Sequence, residues 1–215
     1  MRRLLGFLTV LGLAAGLVMG FGVAPREATQ GNVQRIMYLH VPSVWVAYLA
    51  FVVVLVASIV YLVRHSETAD RLAHASAEVG VLFTGLTIAT GSIWGKPTWG
   101  TWWTWDARLT SVSILFVMYL GYLLLRGMIE DRERGARFAA VLGIVTAFNI
   151  PLVHFSVLWW RTLHQPPSLM APGPAPVPGI IKAALYLNFV AFTLLYGYFL
   201  TRRVRVLRLE AEAEA

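Results

Sequence analysis

Cysteine is absent from the 215 residues, which excludes disulfides, iron–sulfur clusters and zinc–thiolate sites. Charge is scarce as well: 13% of residues are Asp, Glu, Lys or Arg, against a hydrophobic share of 58%. Soluble domains run nearer a quarter charged and half apolar, so the balance points to a membrane protein. Acids are the scarcer sign, 11 against 18 bases. The resulting +7 charge does not read as a nucleic-acid surface, because the arginines stand in short groups at the ends of apolar runs.

What is abundant is uncharged apolar sequence, with a mean hydropathy of +0.66. A membrane helix needs about 20 apolar residues, since a rise of about 1.5 Å per residue must cross roughly 30 Å of hydrocarbon. Six stretches qualify or nearly so: 4–24, 42–63, 77–94, 109–125, 138–160 and 180–200, the third and fourth being short. The sequence therefore predicts an all-α, polytopic membrane fold of six transmembrane helices in a single domain, 1–215. Arg2 and Arg3 before the first run resemble a signal peptide. The uncharged stretch from Leu4 to Pro25 exceeds the usual apolar region of about 7–15 residues and reads as an uncleaved anchor.

Counting lysines and arginines gives the orientation. With both termini inside, twelve fall in inner segments, and six (Arg26, Arg35, Lys96, Arg108, Arg161 and Lys182) fall in outer loops. The final EAEAEA is acidic and reads as a solvated tail. This orientation sends every tryptophan to the outer side, whereas an interfacial aromatic belt decorates both.

Five of the eight tryptophans lie between positions 94 and 105, in a loop of about 94–108, and residues 99–111 read WGTWWTWDARLTS. Gly95, Pro97 and Gly100 break regular structure after the third span. A short helix over 99–106 would then place Trp99, Trp102, Trp103 and Asp106 on one side. Two readings stay open on these residues alone: an aromatic platform, or an interfacial helix with Asp106 capping the fourth span and Arg108 anchoring it to headgroups.

Five histidines are present. His65 and His74 fall in the inner charged loop and read as solvated. His40, in GNVQRIMYLHVPS, and His164, in WWRTLHQPP, come one from each of the other two outer loops. Two neutral imidazoles near a flat aromatic surface suit a planar, apolar iron macrocycle. Each taken singly reads equally as a hydrogen-bonded rim residue. His154 lies inside the fifth span, three residues after Pro151, and is a secondary candidate. Residues 165–179 hold six of the ten prolines and predict an extended, stiff strap or a passive linker. No nucleophile–base pair, phosphate loop or carboxylate dyad stands in an outer loop, so turnover chemistry is not expected of this chain's own residues.

The stretches WGTWWTWDARLTS, GNVQRIMYLHVP and WWRTLHQ together resemble the CcmC (haem exporter protein C) family of cytochrome c maturation, over nearly the whole chain. The larger CcmF and CcsA proteins share a tryptophan-rich "WWD" loop but continue it differently and have more spans. The resemblance implies a WWD loop at Trp99–Asp106 and two axial histidines, His40 and His164. It implies haem b bound transiently at the outer, periplasmic face of a bacterial inner membrane. Trp94, Trp99, Trp102, Trp103, Trp105, Asp106 and Arg108 would surround it, with Arg35, Lys96 and Arg161 as further cations for the propionates. It also implies delivery to the haem chaperone CcmE, with an ATP-binding cassette module of CcmA and CcmB, and CcmD, as partners. A haem export permease and a bis-histidine membrane cytochrome are the alternatives. The first would want polarity or broken helices at mid-membrane, and the second paired histidines on facing helices.

Overall fold

The computed structural model describes residues 2–164 and 178–213. Hydrocarbon leaves a backbone no water to bond with, so the apolar runs satisfy their own amides as helices. Seven α-helices form among the described residues: α1 (Arg2–Leu17), α2 (Met37–Arg64), α3 (Glu67–Trp99), α4 (Ala107–Met128), α5 (Arg132–Ala147), α6 (Asn149–Trp159) and α7 (Gly179–Ala213). A π-helical turn, Val18–Val23, extends α1, and a 3-10 turn, Val33–Ile36, leads into α2. With α5 and α6 taken as one stretch, six helices among the described residues are long and apolar enough to cross a membrane. Hydroxyls inside them fold back onto their own helix. Ser43, Thr84, Thr90, Ser113 and Thr193 each donate to the carbonyl four residues earlier, so their protons are used within the helix.

The α5–α6 junction has a local cause. Pro151 has no N–H for the carbonyl of Ala147, and its ring crowds that position; α5 ends at Ala147 and α6 begins at Asn149. Asn149 Nδ2 then donates to Ser111 O at 2.9 Å, tying the joint to α4.

Helix α2 is the centre of the bundle and packs against α3, α5 and α7. Its Phe51 lies flat on Tyr119 of α4, ring centroids 3.6 Å apart. Between apolar helices in lipid, small residues and interhelical hydrogen bonds hold the contact. Helix α1 packs on α7 in that way: Gly16 lies so close that a Cβ would stand 2.6 Å from Asn188 Oδ1, and Asn188 Nδ2 donates to Gly16 O at 3.0 Å.

Helix α3 departs from expectation at both ends. It begins at Glu67, N-capped by Ser66, whose side chain accepts the Ala69 N–H. His74 is therefore a helical residue, half-buried, with Nε2 3.4 Å from Glu78, and not a solvated loop residue. At the other end α3 runs through Gly95 and Pro97 and stops at Trp99, where Gly100 takes φ +80° and donates to Lys96 O. Pro97 has no N–H to donate, so the last turns forgo one helical hydrogen bond. Two bidentate ion pairs brace the opposite, arginine-rich end: Arg126 of α4 on Asp70, and Arg203 of α7 on Glu78.

Candidate functional site

The ends of α2, α3, α4 and α6 on the tryptophan-rich side converge, and three connecting segments meet there. In the segment before α2, the Glu27 carboxylate accepts the N–H groups of Thr29 and Gln30. This turn presents Gln30 Oε1 to Trp94 Nε1 at 2.8 Å. Arg35 donates to the carbonyls of Phe21 and Ala24, so its guanidinium is committed to closing the end of the first helix.

The expected short helix over 99–106 does not form. Trp99 is the last residue of α3, and 101–106 is irregular. Without a Cβ at Gly95, the Trp99 ring folds back over α3: an added Cβ would be 3.1 Å from Trp99 Cε3. Asp106 closes the segment as the N-cap of α4, with Oδ1 accepting the Leu109 N–H at 2.8 Å. Its other oxygen, Oδ2, accepts the Leu163 N–H at 3.2 Å and lies 3.8 Å from His164 Nδ1. One carboxylate thus joins the start of α4 to the segment bearing His164.

Between these elements is a cavity of about 70 Å3 lined by His40, His164, Arg108 and Tyr48, with an apolar wall that includes Val44, Ile88 and Leu115. His40 comes from the first turns of α2 and His164 from the segment beyond α6. Arg108 donates to His154 O at 2.8 Å and reaches Ser156 Oγ at 3.5 Å. Burial, and then the Arg108 charge, push the His164 imidazole down to about 4, with Asp106 opposing them. The His164 ring is therefore neutral near neutral pH, a base with a lone pair to offer.

The tryptophans do not line this cavity; two of them buttress its histidines. Trp94 meets His40 edge-on at 5.7 Å between centroids, and Trp99 meets His164 at 4.8 Å. Trp103 is half-buried against Trp105, while Trp102 and Trp105 are 58% and 77% exposed. His154 is exposed on α6, its ring against Tyr48 and Phe155. Only its carbonyl takes part, by holding Arg108. The strap at 165–179 lies, but for its last two residues, outside the described residues. Sequence reasoning passed over Gln30, Tyr48, Thr90 and Gly91 around His40. Thr90 and Gly91 carried a signal, since they stand with Thr87 and Trp94 on one turn-spaced face of α3.

No group of three or more His, Cys, Asp or Glu side chains suited to a bare metal ion occurs among the described residues. Two neutral imidazoles, an apolar wall and a guanidinium instead suit a planar group that brings its own equatorial ligands and carries an anionic edge.

The sequence model of the family described as Heme exporter protein C matches residues 1–215. The chain is 44% identical over 210 residues to "Heme exporter protein C" of Bradyrhizobium diazoefficiens, covering 94% of this chain and 80% of that protein. It is 41% identical over 211 residues to the protein of that name from Haemophilus influenzae, with 98% and 86% covered. It is 38% identical over 208 residues to that of Escherichia coli K12, with 97% and 84% covered.

Proposed function

This chain belongs to the haem exporter protein C family, and from that premise we propose that it takes up haem as cargo for cytochrome c maturation. Haem is held between His40 and His164 and passed to a haem chaperone of the CcmE kind. The observation that carries the reading is that both histidines and Arg108, from three separate elements, line one cavity. The residues fit the cargo. His40 has Nδ1 bonded, at 3.0 Å from Thr90 Oγ1, which leaves its other nitrogen to ligate. The buried His164 Nδ1 has no hydrogen-bond partner. The wall is apolar, and among the described residues Arg108 is the one Lys or Arg lining the cavity.

Haem supplies an iron centre with two axial positions and a macrocycle with anionic propionates. The chain's own residues supply the rest. His40 and His164 present neutral imidazoles, and Trp94 and Trp99 hold those rings from outside. Arg108, steadied by the carbonyl of His154 and the hydroxyl of Ser156, offers the cation for a propionate. Asp106 keeps the His164 segment against α4. A cavity of about 70 Å3 has room for a handful of water molecules and not for a macrocycle, so loading requires the two histidine-bearing walls to part. The exposed Trp102 and Trp105 then remain for contact with lipid or with the chaperone.

Both termini lie inside in this reading, and the histidine end faces the periplasm of a bacterial inner membrane. Twelve of eighteen basic residues fall on the side opposite the tryptophans. An ATP-binding cassette module of CcmA and CcmB, with CcmD, is the expected assembly. A membrane cytochrome is disfavoured because His164 stands outside any helix.

Absorption spectra of the purified protein supplied with haem, oxidised and reduced, test this beside His40→Ala and His164→Ala. A low-spin, two-nitrogen spectrum weakened by both substitutions is expected. Retention of an unchanged spectrum in both variants would refute the clamp.

A further inference from the structure

The surroundings of His40 specify which of its nitrogens carries the proton. Nδ1 lies 3.0 Å from Thr90 Oγ1. A threonine hydroxyl has a single proton, and that of Thr90 faces two carbonyls one turn back on α3: Leu86 O at 2.7 Å and Thr87 O at 3.3 Å. The first distance is ideal for an O–H···O bond, and bonding to the i−4 carbonyl is the habit of threonine in a helix. With its proton directed at Leu86, Thr90 Oγ1 meets His40 only as an acceptor. Nδ1 is then the donor, and Nε2 carries the lone pair.

Two neighbours keep the ring in this position. Gly91 follows Thr90, and a Cβ there would stand 3.0 Å from His40 Cε1 and 3.5 Å from Nδ1. A larger residue would push the imidazole off α3 and away from the hydroxyl. Trp94 bounds the ring edge-on and is itself fixed by Gln30. His164 differs: its Nδ1 is 3.8 Å from the nearest Asp106 oxygen, beyond hydrogen-bond reach. The two histidines are therefore supported unequally, and only His40 is set before any cargo arrives.

We propose that Thr90 is a positioning residue: it holds His40 as the Nδ1–H tautomer, with Nε2 ready as a ligand, and Gly91 permits the approach. This rests on the reading of His40 as an iron ligand. A ligating histidine whose second nitrogen donates to a fixed acceptor is oriented by it and made more basic. The Thr90 bond thus strengthens the His40 side of the clamp and favours ferric over ferrous haem.

The test is a spectral haem titration and a midpoint-potential measurement on the full chain in detergent, comparing wild type with Thr90→Val, Thr90→Ser and His40→Ala. Thr90→Val, equal in size but without the acceptor, should lose about 10- to 100-fold in haem affinity and shift the potential positive. Thr90→Ser should retain both values. If Thr90→Val matches wild type in affinity and potential while His40→Ala loses haem, the role of Thr90 is wrong and the clamp stands. If His40→Ala itself keeps the wild-type affinity and spectrum, the ligand reading fails and takes this one with it. A second measurement removes dependence on the folding of Thr90→Val. In His40→Gly, added imidazole should restore the two-nitrogen spectrum at lower concentration than 1-methylimidazole, which has no N–H for Thr90. Equal potency of the two would overturn the proposal.

Discussion

Asp106 and His164 face each other across the gap between α4 and the segment after α6, with Oδ2 3.8 Å from Nδ1, while the same carboxylate caps α4 through Leu109 and accepts the Leu163 N–H. Helix capping and placement of His164 thus depend on one side chain, and substitutions can separate them. Asp106→Asn keeps a good N-cap but removes the charge beside His164. It should leave the melting temperature nearly unchanged and lower haem affinity about 10-fold, the low end for a partner outside the ligand set. Asp106→Ala should lose both, with a stability cost of about 1–2 kcal/mol. Thermal unfolding and haem titration on the same preparations decide it.

The pH dependence of uptake follows from His164. Burial, and then Arg108, lower it from the ordinary value of about 6.5 to about 4. A histidine with a depressed value stays neutral in the folded protein while the unfolded chain begins to take up protons. Its contribution to stability is whole above about 6.5 and is lost as pH falls through about 4. Haem uptake by the cargo-free protein should accordingly be level from pH 8 to about 5 and fall below that. Arg108→Gln removes the repelling charge, so the fall should move to higher pH even as overall affinity drops. An uptake curve breaking near 6.5 in wild type would contradict the burial of this ring.

Two tryptophans of the same short stretch should behave differently. Trp99 contacts His164 and covers Gly95, whereas Trp105 is 77% exposed. Trp99→Leu should alter the haem spectrum and lower affinity. Trp105→Leu should leave both unchanged and slow transfer to the chaperone. Equilibrium spectra and a transfer assay, run on both variants, separate the effects.

Helix α1 offers a prediction remote from the site. A Cβ at Gly16 would meet Asn188 Oδ1 at 2.6 Å, and a larger side chain would also strip Asn188 of the carbonyl it bonds. Gly16→Leu should destabilise the protein by about 1–3 kcal/mol, read as a lower melting temperature in detergent. The haem spectrum of the folded fraction should be unchanged.

The six long helices were legible because apolar length is a property of sequence alone, and hydrocarbon leaves such runs no alternative to helix. His40, His164 and Asp106 were visible for a similar reason: polar groups at the ends of apolar runs, on the same side of the chain's alternation. What was illegible depended on three-dimensional approach. Gly95 and Pro97 read as breakers, yet α3 continues to Trp99 because Gly95 gives that ring a place to lie. Arg35 read as a free outer cation, but the carbonyls it grips belong to residues 21 and 24, which no local pattern brings near. Thr90 was passed over, because its partner is fifty residues away in sequence. His74 was misplaced because α3 starts at Glu67, ten residues before the predicted span 77–94 does.

Helix α3 carries Thr90, Gly91 and Trp94 toward one end, and toward the other Asp70 and Glu78, each gripped by an arginine of a different helix. At 33 residues it is about 50 Å long, one stiff shaft through the molecule. One continuous helix therefore joins the two arginine grips at its foot to the ring of His40 at its head.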